Sequence, residues 1–98
     1  MSDNDHNWHK YDPTWLVKLA QEQYPDKPWL AHALSQCTRY RRESRAYFHF
    51  VNPNRPNQPG STWQFVQNLQ LYDRRQGHLI LDILTEHRVG GLEFLNKV

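Results

Sequence analysis

A chain of 98 residues with a single cysteine, Cys37, is long enough for one core and cannot hold an internal disulfide framework. It is therefore expected to be one domain suited to a reducing compartment. Twelve Lys and Arg against ten Asp and Glu leave a formal net charge of +2, too weak a global field to argue for nucleic acid by itself. No apolar run approaches the ~20 residues that span a bilayer, and the polar start Met1–Trp8 has no signal-peptide hydrophobic region, which points to a cytoplasmic protein with no membrane partner. Four Trp, five Tyr and four Phe stand beside only two isoleucines, Ile80 and Ile83, so most of the rings are expected in the core.

Residues 1–10 are polar and without periodicity and read as a flexible tail unless Trp8 docks; residues 11–98 read as one α+β domain. A helix is predicted to begin at Asp12, whose carboxylate can accept first-turn amides, with Pro13 in the first helical position. It should end at Tyr24, because Pro25 disfavours helical geometry in the residue before it. A second helix follows from about Pro28, with Leu30, Ala33, Leu34 and Cys37 spaced as one buried stripe. On that stripe Cys37 reads as a small core residue, and without a Cys-x-x-Cys it does not read as a reactive thiol.

From Ala46 the period changes to two. Ala46–Val51 is predicted as an aromatic strand, and Thr62–Tyr72 as a longer one with Trp63, Phe65, Leu69 and Leu71 on a covered face and Thr62, Gln64, Asn68 and Gln70 on a wet one. Three prolines in Asn52–Ser61 make that stretch an exposed loop. Asp73–Gly77 is the next turn, with Gly77 free to take positive φ. The final connection has two registers. A turn at Gly90-Gly91 leaves Leu79–Ile83 without a partner, whereas a turn at Glu86-His87-Arg88 aligns Leu79–Leu84 with Gly90–Leu95 and makes the glycines a bulge or a close approach. The second is preferred. The expected architecture is two N-terminal helices on one face of a four-stranded antiparallel meander.

Chemistry-bearing residues are few. His6 and His9, with Asp3 and Asp5, make only a makeshift ligand set, short of the four spaced ligands of a structural zinc site. General acid–base work would need His49, His78 or His87 beside a carboxylate in a pocket. Asp82 is unusual in an apolar run and should be paired or face solvent. No complete catalytic, metal-binding or phosphate-cradling motif occurs, so no catalytic residue, metal or cofactor is assigned.

The strongest binding signal is Arg39-Tyr-Arg-Arg-Glu-Ser-Arg45, followed by Tyr47 and Phe48. Arginines there can neutralise phosphates while rings stack on unpaired bases, and Arg55, Arg74 and Arg75, all in loops, can extend the surface. The plainer reading is a solvated helix end. A third reading is a protein-binding face, since Arg, Trp and Tyr dominate interface hot spots. The candidate partner-binding set is Arg39, Arg41, Arg42, Arg45, Tyr47, Arg55, Arg74 and Arg75.

Tyr47-Phe-His-Phe-Val51, Pro59-Gly-Ser-Thr-Trp-Gln-Phe65, Gly77–Leu84 and Val89-Gly-Gly-Leu-Glu-Phe-Leu95 together resemble small bacterial immunity proteins, notably those paired with contact-dependent growth-inhibition toxins. The likeness covers about half the chain and is carried by scaffold motifs. It implies a non-enzymatic protein that binds a cognate toxin domain, often a nuclease, and blocks its active site or an adjacent surface. It assigns no inhibitory residue. Nuclease inhibitors are commonly acidic whereas this chain is mildly basic, so the toxin is expected either to present an acidic patch or to be bound away from its nucleic-acid groove. The alternative is a small RNA- or single-stranded-DNA-binding module using Arg39 to Arg45.

Overall fold

The computed structural model describes residues 7–51 and 64–97. The expected loop at 52–61, and with it Arg55, Thr62, Trp63, His6, Asp3 and Asp5, lies outside them. The chain forms β1 (His9–Lys10), α1 (Thr14–Gln23), α2 (Pro28–Ser35), β2 (Arg39–Ser44), β3 (Tyr47–His49), β4 (Phe65–Asp73), β5 (Gly77–Leu84) and β6 (Arg88–Phe94). All strand pairs are antiparallel, in the order β1-β2-β3-β6-β5-β4.

Two features of the expected architecture are corrected here. The sheet has six strands among the described residues, not four, and it is not a meander, because β6 lies between β3 and β5. The added strands come from the arginine run and from His9–Lys10 in the expected tail, which pairs with Tyr40 and Arg39. A strand made of Arg, Tyr, Glu and Ser carries no apolar alternation, since only Tyr40 must reach the core side. Its backbone pairs all the same, with β1 at Arg39 and Tyr40 and with β3 at Arg41, Arg42 and Ser44.

The helices follow the sequence closely. Asp12 accepts the Thr14 amide at 3.0 Å and the Thr14 hydroxyl at 2.5 Å, which holds its carboxyl below the ordinary range, and Pro13 sits just before the first helical residue. α1 closes at Gln23, one residue before Tyr24. Leu30, Ala33, Leu34 and Cys37 are all buried, with Cys37 just past the end of α2. Burial pushes the Cys37 thiol up to about 12 against an opposing pull from Arg88, consistent with an inert core group.

Both helices lie on one face of the sheet, α1 against β4 and α2 against β6 and the turn that follows β5. They do not cover that face alone. Over β2 and β3 the cover is a cluster of rings in which Tyr11 meets Tyr40, Phe48 and Phe50 at centroid distances of 5.4, 6.2 and 5.3 Å. The largest fully buried side chains are Leu16, Leu30, Leu34, Leu71, Leu79, Leu81, Ile83 and Leu92, all aliphatic. Each contributes roughly 1.5–3 kcal/mol by leaving water. The expectation that rings fill the core is thus corrected: Phe50 and Phe94 are buried, while Tyr11, Trp15, Trp29, Tyr40 and Phe48 pack round its margin. Aliphatic side chains fill the gap between helix and pleat, and larger rings seal its edges.

The register of β5 against β6 is the one preferred from sequence, with Leu79 opposite Phe94, Leu81 opposite Leu92 and Asp82 opposite Gly91. The pairing slips after Asp82, leaving Gly90 as an extra residue in β6. A second slip lies between Phe65 and Gln67 in β4. It is why Phe65, expected beside Leu69 and Leu71 on the covered face, is 45% exposed. Gly77 takes φ +78° as expected. No helix among the described residues is long and apolar enough to cross a membrane.

Candidate functional site

Alternation along the strands builds a second face opposite the helices. Tyr40 and Phe48 turn to the ring cluster, so Arg39, Arg41, Tyr47 and His49 turn away from it. The register carries this face across the sheet through Glu93 and Gly91 of β6, Ile80 and Asp82 of β5, and Asn68 and Gln70 of β4. Each residue here neighbours a core residue in sequence. The core therefore fixes the position of everything displayed on the other side.

The centre of this open face is the Tyr47 hydroxyl, which donates a hydrogen bond to Asp82 Oδ2. Asp82 is thereby the paired carboxylate that its apolar surroundings demand. The contact depends on Gly91, which lies between the two residues in the sheet. A Cβ there would sit 2.7 Å from the Tyr47 oxygen and 3.1 Å from Asp82 Oδ2. Gly90 is equally constrained, because its Cβ would fall 2.7 Å from Leu84 Cδ1. Burial raises the Tyr47 pKa, and the hydrogen bond to Asp82 and the negative charges of Asp82, Glu43 and Glu93 raise it further, so the hydroxyl stays protonated as a donor.

Beside Tyr47, His49 packs edge-on at 4.8 Å and its Nε2 lies 3.3 Å from Glu43 Oε1. Of the three histidines weighed for acid–base work, His49 is the one set beside a carboxylate among the described residues, and it lies on a sheet surface. His78 packs against Tyr72 at 5.1 Å and shares the face with Asp82 without reaching it. His87 stacks on Trp29 at 4.2 Å beside a cavity of about 300 Å³. There Glu86 and His87 take φ +64° and +54°, both in the left-handed region.

The predicted partner-binding residues that the structure describes divide among four places. Arg39 lies with its guanidinium 4.7 Å from the Trp8 ring centroid, and Arg41 pairs across from His49, both on the open face. Tyr47 joins them. Arg42 is opposite Phe48 on the helix side, and Arg45 is exposed in the turn between β2 and β3. Arg74 and Arg75 occupy the β4–β5 turn and line a cavity with α1. Arg41 and that turn are three to four strand spacings apart, about 14–19 Å, so the arginines do not form one continuous surface. Arg55 lies outside the described residues.

Sequence reasoning flagged Asp82 and Tyr47 separately and missed their pairing. The signal was the glycine pair aligned with Asp82, which marks a close approach without naming what approaches. The carboxylates Glu43 and Glu93 were also passed over. Together with Asp82 they surround Tyr47, while Lys10, Arg39 and Arg41 lie toward the β1–β2 edge, giving the face a negative centre and a positive flank.

No family model, curated protein or solved structure matches the chain.

Proposed function

We propose that the protein is a non-enzymatic binding protein that neutralises a cognate bacterial toxin domain by docking the open face of its sheet against it. The observation that carries this reading is the Tyr47-centred face itself: a rigid surface of Tyr, His, Arg and carboxylates whose backs are the core. Tyrosine and arginine supply most interface hot spots, and side chains already fixed by Asp82, Glu43 and Trp8 lose little further freedom on binding. The charge layout calls for a partner with cations over Glu43, Asp82 and Glu93 and carboxylates over Arg39 and Arg41. Of the two expectations for the toxin, an acidic patch or binding away from its nucleic-acid groove, this layout keeps the acidic patch opposite Arg39 and Arg41 only and adds cations beside it.

The division of the arginines favours a protein over nucleic acid. A phosphate backbone needs a continuous cationic track, and here Arg42, Arg45, Arg74 and Arg75 leave the surface that Arg39 and Arg41 occupy. Generic oligonucleotides are expected not to bind at low salt; micromolar binding that falls steeply with salt would favour the nucleic-acid module instead.

The direct test is to read the neighbouring reading frame for a toxic C-terminal domain and co-express that domain with the protein. Growth should be restored through a complex that survives size-exclusion chromatography, and Arg41→Glu or Glu93→Lys should weaken it while Arg42→Glu leaves it intact. Absence of rescue, or of a complex at micromolar concentration, refutes the proposal.

A further inference from the structure

Arg74 and Arg75 take no part in the open face, and the groove they border has a chemistry of its own. A cavity of about 490 Å³ lies between α1 and the β4–β5 turn, with Trp15, Lys18, Leu19 and Glu22 on one wall and Arg74 and Arg75 on the other. That volume falls in the range of small-ligand sites, about 300–1,000 Å³.

The walls are held in place by hydrogen bonds. Gln23 donates from Nε2 to the Tyr72 carbonyl at 2.6 Å and accepts the Tyr72 amide on Oε1 at 2.9 Å. It thus pairs with the edge of β4 as a strand backbone would. Tyr24 adds a bond from its hydroxyl to the Gln70 carbonyl at 2.7 Å. On the other wall, Asp73 Oδ2 accepts the amides of Arg75 and Gln76 at 2.9 and 2.8 Å, fixing the turn that carries both arginines.

These bonds also settle which charges face a ligand. Asp73 also lines the cavity, but its Oδ2 is engaged by the amides of its own turn, so the lining sets three cations, Lys18, Arg74 and Arg75, against the carboxylates of Glu22 and Asp73 and stays net positive. The Trp15 indole N–H is taken by the Tyr11 hydroxyl at 3.1 Å, so Trp15 and Leu19 offer the cavity apolar surface. Such a site selects an anion attached to an apolar body.

We infer that this cavity is a binding site for an acidic peptide segment, with an apolar side chain seated on Trp15 and Leu19 and a carboxylate received by Arg74, Arg75 and Lys18. Arginine can take a carboxylate through two parallel hydrogen bonds, and the apolar floor distinguishes the segment from a bare anion. A phosphate backbone fits less well, because the cations border one groove and do not continue as a track along the surface. The site lies apart from the open face, so it does not depend on toxin neutralisation.

The test is a titration of the isotope-labelled protein with a capped Glu-Phe-Glu-Phe peptide, followed by amide and indole NMR shifts. Shifts confined to Trp15, Lys18, Leu19, Arg74 and Arg75, weakening with salt, are expected. The joint change Arg74→Glu/Arg75→Glu should weaken binding roughly tenfold or more, equivalent to about 1.4 kcal/mol. Lys18→Glu, on the opposite wall, should weaken it independently while the rest of the spectrum is unchanged. Equal binding of the Gln-Phe-Gln-Phe peptide would overturn the inference. So would absence of shifts at millimolar peptide, or shifts at these residues with inorganic phosphate or an oligonucleotide but not with the peptide.

Discussion

Leu81 and Ile80 are neighbours on β5 and both aliphatic, yet Leu81 is wholly buried under the helices while Ile80 is only half-covered on the other side. The same contrast runs through the whole sheet. Toward the helices the strands present Leu69, Leu71, Leu79, Leu81, Leu92 and Phe94; away from them they present Tyr47, His49, Asp82, Glu93 and Arg41. One face carries the stability, and the other is held in shape by it. Side chains on the open face are then free to be chosen for what they recognise.

The division is broken or sharpened most strongly by paired truncations on one strand. Leu81→Ala should destabilise by about 2–5 kcal/mol, because a buried cavity is added to the lost transfer energy. Ile80→Ala should cost no more than about 1 kcal/mol. Equal costs in urea unfolding would mean that the open face is packed after all.

Alkaline pH probes the covered face through Cys37 and Tyr11, while Tyr47, also held neutral by burial, adds a contribution from the open face. An unfolded chain ionises Cys37 near its ordinary value of 9.0 and Tyr11 near 10.0, whereas burial holds each neutral in the folded protein up to about 12. Both pKa values are raised on folding, so the stability they contribute is complete below pH 9 and is lost as pH rises from 9.0 toward about 12. The slope approaches at most about 1.4 kcal/mol per pH unit for each group, less for the partly exposed Tyr11. Urea midpoints should fall across this window, and Cys37→Ala should delay the onset. A flat profile would show that the thiol is not sealed.

Gly91→Ala attacks the open face through its centre. The added methyl would force the Tyr47 ring off Asp82, at a cost of about 1–3 kcal/mol. Combined with Tyr47→Phe, the penalty should be less than additive, because both changes remove the same hydrogen bond. Strict additivity in a double-mutant cycle would exclude Tyr47 as the residue that Gly91 accommodates. The smallest effect belongs to neither face. Glu86→Asn should stabilise by up to about 1 kcal/mol, since Asn tolerates the left-handed backbone better than Glu. A loss in thermal midpoint would indicate that the Glu86 side chain contributes more than its backbone strain costs.

Much of the covered face was legible in the sequence, because burial leaves a periodic trace. The Leu30–Cys37 stripe located α2, Pro25 ended α1, and the need to partner Leu79–Ile83 selected the correct register for β5 and β6. The open face was far less legible. Arg39–Ser44 forms a strand whose only core-directed ring is Tyr40, so its alternation is invisible to a hydrophobic reading. The Tyr47–Asp82 contact joins residues 35 positions apart on strands separated by a third, a relation set by strand order. The slip that exposes Phe65 depends on one extra residue in a pairing, which composition does not mark.

Strand order also constrains the time course of folding. Residues 47–49 meet residues 91–93 across β3 and β6, and β6 alone joins the β1–β2–β3 side of the sheet to the β4–β5 hairpin. During synthesis the first hairpins can form early, but they remain two unconnected ribbons until residues 88–94 arrive to bridge them. Closure over such long separations slows folding. The rate-limiting event is expected to be the insertion of the latest-made strand between two earlier ones.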